Sequence, residues 1–112
     1  MTHTSGSMIP DALLRVRFLT TRQGGRASAI TGAKYGCPIL VNGEGFDCRF
    51  VIESRTRYDL GETYDIPVKF LEPEFALTRL KEGTVISLWE GKTIGTGQVT
   101  KIFGVQHRDA PP

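Results

Sequence analysis

Gly91-Lys92-Thr93 is the triplet of this chain that comes closest to a known chemical device, because it matches the end of a phosphate-binding loop. That loop also needs a glycine five residues ahead of its Gly-Lys-Thr, and a following helix whose amides face the phosphates. Position 86 is Ile, and alternating, strand-like sequence runs on both sides of the triplet. The segment therefore reads as a tight hairpin turn with Glu90-Gly91 making the reversal, and no nucleotide is expected here. Gly24-Gly25-Arg26 is likewise a loop, since no helical pattern follows it. His3 and His107 lie near the two ends with no Asp, Glu or Cys at ligand spacing, so no metal site is expected. Ser28 and Ser87 have no His partner in a fixed element, which leaves a nucleophilic triad without support. Glu72 and Glu74 read as solvated loop charges rather than an acid–base pair. No catalytic residue and no cofactor is expected.

The chemistry that remains is recognition. Arg15 and Arg17 fall on one outward face, Arg22, Arg26 and Lys34 in the first long loop, and Lys92 and Lys101 around the last hairpin. Loop ends of a barrel cluster in space, so Arg22, Arg26 and Lys92 are candidates for one basic patch. The competing reading is a solvated surface of mixed charge. Trp89 is a core or interface aromatic, and Tyr35 is a possible apolar anchor. The candidate binding residues are thus Arg22, Arg26, Lys34, Trp89, Glu90, Gly91 and Lys92. The whole chain carries 14 Lys+Arg against 12 Asp+Glu. A net charge of +2 is too mild to identify a nucleic-acid binder from composition.

These residues must be held by strands, because the dominant period is two. Leu14, Val16 and Phe18 alternate with Arg15 and Arg17. Phe46, Cys48, Phe50 and Ile52 alternate with Asp47, Arg49 and Glu53, and Tyr64, Ile66, Val68 and Phe70 alternate with Asp65 and Lys69. A short strand is expected at Ile39–Val41, one apolar on both faces at Thr84–Glu90, and a final one over Thr93–Phe103. Gly95 and Gly97 inside the last strand mark a bend or a close backbone approach. Glu72–Leu80, opened by Pro73, is the one helix-like stretch; it is expected to make a single turn, with a full helix or an extended segment as the alternatives. Six short strands separated by Gly-rich punctuation predict an all-β, closed, antiparallel six-stranded barrel. Val16, Phe18, Phe50, Ile66, Val68 and Ile86 are its expected core.

A length of 112 residues is one domain's worth. The barrel is expected over 11–105, between a flexible arm at 1–10 and a flexible tail at 106–112. Cys37 and Cys48 are too few for a disulfide framework and are expected to be reduced, packed thiols. No apolar run is long enough to cross a bilayer and no signal peptide is visible, so the cytoplasm is the expected compartment.

The ordered motifs also resemble a known family. Arg15-Val16-Arg17-Phe18-Leu19 leading into Gly24-Gly25-Arg26 and Gly32 is similar to the opening of the third domain of elongation factor Tu. Gly61-Glu62-Thr63 precedes a strand as a Pro-Gly-Asp turn does there. Glu90-Gly91-Lys92-Thr93-Ile94-Gly95-Thr96-Gly97, closing with Val99-Thr100-Lys101-Ile102, looks like that family's last hairpin. The resemblance spans Leu13–Gly104 and implies a six-stranded barrel without the GTP-binding domain. In the family this barrel helps hold aminoacyl-tRNA at the T-stem. Glu90 and Gly91 match one contact region, while Ala33-Lys34-Tyr35 stands where the family has Arg-Pro-Gln. The implied function is a non-enzymatic module that docks on a protein or RNA of the translation apparatus. The alternative is a regulatory or immunity-type interaction domain that reuses the barrel outside translation.

Overall fold

The computed structural model describes residues 9–32, 34–51 and 57–104. Among these, eight strands form: β1 (Ala12–Phe18), β2 (Ile30–Thr31), β3 (Gly36–Val41), β4 (Glu44–Phe50), β5 (Arg57–Tyr58), β6 (Thr63–Phe70), β7 (Val85–Trp89) and β8 (Thr93–Ile102). One helix, α1 (Pro73–Leu77), follows β6, and a 3-10 turn occupies Thr21–Gln23. Six strands close an antiparallel barrel in the order β1-β6-β4-β3-β7-β8, with β8 pairing back onto β1. Strands β2 and β5 make a separate pair, Ile30 opposite Tyr58 and Thr31 opposite Arg57.

The alternation decides the faces. In β1, Ala12, Leu14, Val16 and Phe18 are buried while Arg15 and Arg17 are exposed. All six expected core residues are buried, joined by Ile39, Leu88, Ile94 and Val99. Each such side chain contributes about 1.5–3 kcal/mol by leaving water. Pro38 sits within β3 without breaking it, because the pairing with β7 runs only from Ile39↔Leu88 to Leu40↔Ser87. The β3–β4 turn has Asn42 at φ +52° and Gly43 at φ +83°. Positive φ at both central residues matches the right-handed twist of the flanking strands. Gly97 serves a close approach, since a Cβ there would lie 1.8 Å from the Arg15 carbonyl oxygen across the β1–β8 ladder.

Asp11 fastens the seam at which the barrel starts. Its N–H donates to Val68 O at 2.8 Å, and its own carbonyl accepts from Phe103 N at 2.8 Å. The carboxylate is fully buried; Oδ2 accepts from Phe70 N at 2.9 Å, and the Lys69 ammonium lies 3.7 Å from Oδ1. One residue thus ties the head of β1 to the tails of β6 and β8.

Several boundaries differ from expectation. β3 starts at Gly36, because the ladder to β4 already runs from Gly36↔Arg49. The last strand ends at Ile102, one residue before Phe103. The helical turn, by contrast, starts at Pro73 as expected and spans five residues. The short β2–β5 pair was not expected at all. Ile52, Glu53 and the tail at 106–112 lie outside the described residues, as does most of the arm at 1–10.

Candidate functional site

The C-terminal ends of β1, β4 and β7 and the N-terminal ends of β3, β6 and β8 face the same end of the barrel. The long β1–β3 connection and the β7–β8 turn meet there. Thr20 starts that connection with a reciprocal cap: its Oγ1 accepts from Gln23 N at 3.1 Å, and its N–H donates to Gln23 Oε1 at 3.0 Å. Gly24 then reverses the chain at φ +92°. Gly25 packs so closely on Leu19 that a Cβ would stand 2.5 Å from the Leu19 carbonyl oxygen. Arg26 leaves this compact turn aimed across the barrel end.

Arg26 Nη1 donates to Glu90 Oε2 at 2.5 Å, and its Nε donates to Ser28 O at 3.0 Å. The Tyr35 hydroxyl donates to the same Glu90 oxygen, and the guanidinium lies over the Tyr35 ring at 5.8 Å from its centroid. Burial, followed by the bond to Glu90, holds the Tyr35 phenol far above its ordinary range, so it stays a neutral donor. Behind Tyr35 runs a ladder of rings, with Phe50 at 4.9 Å and then Tyr58 at 5.5 Å from Phe50. Tyr58 meets Phe18 at 5.8 Å and Tyr64 at 4.9 Å. The ladder joins the Glu90 carboxylate to the core.

The sequence placed Arg22, Arg26 and Lys92 together as three available cations. The structure does unite the Arg26 loop with the Glu90-Gly91-Lys92 turn, but Arg26 is neutralised by Glu90. Arg22, Lys34 and Lys92 are exposed, and among the described residues their side chains make no ion pair or hydrogen bond. The turn itself closes by Glu90 N donating to Lys92 O at 2.8 Å, with Gly91 at φ +74°. Trp89 is 38% exposed and Val85 74%, so both lie on the outer face while Ile86 and Leu88 fill the core. This excludes the core reading of Trp89.

Sequence reasoning missed the Tyr35–Glu90 bond. Its signal was parity: Tyr35 is in phase with buried Cys37, Ile39 and Val41, and Glu90 with buried Ile86 and Leu88. Both therefore turn toward the barrel end. The neighbouring Cys37 thiol is pushed up to about 11 by burial. Cys48, directly opposite it, is also pushed up by burial, and both cysteines are free.

The arrangement presents cations and glycine backbone on a fixed frame. Among the described residues, no group of three or more His, Cys, Asp or Glu gathers in a metal-binding geometry, and no helix is long and apolar enough to cross a membrane. No protein-family model matches the chain, and no curated protein matches it in sequence.

Proposed function

We propose that this barrel is a non-enzymatic binding module, resembling the third domain of elongation factor Tu, that docks on a protein or RNA of the translation apparatus through its loop end. The observation that carries the reading is the Arg26–Glu90 pair. It joins the Gly-Gly-Arg loop to the Glu-Gly-Lys hairpin, the two segments on which the resemblance chiefly rests. Once joined, they leave Arg22, Lys34 and Lys92 as cations without an ion pair among the described residues, beside glycine backbone that lets an anionic group come close. Loops held on a rigid scaffold are where binding residues usually sit. Affinity purification of partners from cell lysate tests the assignment. Ribosomal proteins, tRNA or a translation GTPase in the eluate support it, and an unrelated dominant partner overturns it.

A second reading, a protein-interaction domain outside translation, is favoured by one feature. Strands β3 and β7 contain no charged residue, and their outer faces expose Val85 and Trp89. An uncharged face with an aromatic suits a protein partner better than a phosphate backbone. Trp89→Ala tests whether this face is used, because it weakens a protein complex far more than a polyanion complex, and the identity of the partner it releases separates the two readings.

A further inference from the structure

The opposite end of the barrel carries a second surface, which the loop-end reading does not use. Here α1 packs against the start of β4 and leaves a cleft of about 170 Å³ lined by Gly45, Phe46, Asp47, Leu71, Glu72, Phe75 and Ala76. Its floor is buried Phe46 and Ala76. Its walls are Leu71 and Phe75, which are 55% and 44% exposed although both are large and apolar. The frame is built: Leu71 N donates to Asp47 O at 3.0 Å, and the Phe75 ring lies 5.6 Å from that of Phe46. Arg79 holds Phe75 from outside, its guanidinium 4.8 Å from the ring centroid and 3.2 Å from Glu44.

Two properties define what fits. The cleft is smaller than the roughly 300–1,000 Å³ of small-molecule sites, so it suits one inserted side chain rather than a cofactor. Its lip is acidic: Asp47 and Glu72 make no ion pair among the described residues, and Arg79, the cation over Phe75, is taken by Glu44. A neutral or acidic occupant would cover these carboxylates and leave them unpaired, which costs free energy. A nucleic-acid backbone would be repelled. We propose that this cleft docks a protein segment that inserts an aliphatic or aromatic side chain flanked by lysines or arginines. The anchor covers Leu71 and Phe75, and the flanking cations pair with Asp47 and Glu72.

The test is a titration of the isotopically labelled full chain with three synthetic peptides, followed by amide NMR shifts. The first is Ser-Lys-Arg-Leu-Lys-Arg-Ser, the second has alanine for leucine, and the third has glutamate for every cation. Expected are saturable shifts at Gly45, Leu71 and Phe75 with the first peptide, binding weaker by about five-fold or more with the second, and none with the third. Leu71→Ser and Glu72→Lys, both at exposed positions, should each weaken the first peptide by a similar factor. Shifts confined to the loop end, equal binding of all three peptides, or no saturable shift at millimolar peptide overturn the proposal. The three-peptide comparison on the unsubstituted chain stands even if a variant misfolds. Failure at this cleft leaves the loop-end reading untouched.

Discussion

Arg26 and Glu90 stand 64 residues apart in the chain and meet at 2.5 Å, with about three-quarters of each side chain covered. Exposed ion pairs contribute little, typically under about 1 kcal/mol. This one is partly desolvated and shares its carboxylate oxygen with Tyr35, so it should lie at or above that limit. A double-mutant cycle of Arg26→Ala and Glu90→Ala is expected to give a coupling of about 1 kcal/mol or more. Hydrogen exchange should quicken at the amides of residues 26–31 in either single variant and stay unchanged in β1 and β6. A coupling near zero would mean that the pair does not hold the loop.

The close approach at Gly97 yields a prediction of the opposite kind. Alanine there would press a methyl group to 1.8 Å from the Arg15 carbonyl oxygen, so β1 and β8 would have to part. Overpacking of this kind costs about 1–3 kcal/mol, and backbone is the least yielding neighbour. At Gly45 the nearest atom to an added Cβ is Leu40 Cδ2 at 3.4 Å, an ordinary contact. Urea melts should therefore show Gly97→Ala losing about 2 kcal/mol or more, and Gly45→Ala losing less than about 0.5 kcal/mol. Equal effects would mean that the β1–β8 ladder is looser than described.

The barrel was legible because period two is a local signal and each strand repeats it. Leu14-Arg15-Val16-Arg17-Phe18 states its own inner face, and no other part of the chain is needed to read it. The loop-end pair was half legible. Loop clustering brought Arg26 and the Glu90 turn together, but charge counting treated Arg26 as available. Whether a loop cation meets water or a carboxylate depends on contacts between residues distant in sequence, which no local pattern encodes. The β2–β5 pair escaped for a related reason. Two-residue strands are too short to show a period, and Ile30 is buried by meeting Tyr58 rather than by any repeat around it.

Burial of the thiols gives a pH dependence with a definite sign. Cys37 is pushed from 9.0 up to about 11, so the folded chain keeps its proton where the unfolded chain has released it. Between about pH 9 and pH 11 the unfolded state binds fewer protons, and stability falls as pH rises. Two pH units of separation correspond to a loss of about 2 kcal/mol at the upper limit. Cys48 and Tyr35, both also raised, add to the loss with the same sign. Chemical denaturation in steps from pH 8 to pH 11 checks this, with Cys37→Ala as the comparison. The variant should start less stable but decline less steeply, and a parallel decline would remove Cys37 as a cause.

The loop end makes the sharpest claim about a partner, because its charges are distributed unequally. If an RNA backbone docks there through Arg22, Lys34 and Lys92, three phosphate contacts imply a log–log salt slope of about −2 to −3. Lys92→Gln should flatten that slope by nearly one and weaken binding. Arg26 should behave differently, since its charge is already spent on Glu90. Glu90→Gln keeps an oxygen for the Tyr35 hydroxyl but releases the guanidinium. It should therefore tighten RNA binding and steepen the slope by about 0.7–0.9, the contribution of one further cation. Arg26→Gln should weaken binding by leaving Glu90 as an uncompensated anion. Anisotropy of a fluorescent RNA hairpin at several salt concentrations measures all four proteins. A slope near zero in the unsubstituted chain would mean that these charges are only solvated surface. A steep slope that Glu90→Gln leaves unchanged would place the RNA away from the Arg26–Glu90 pair.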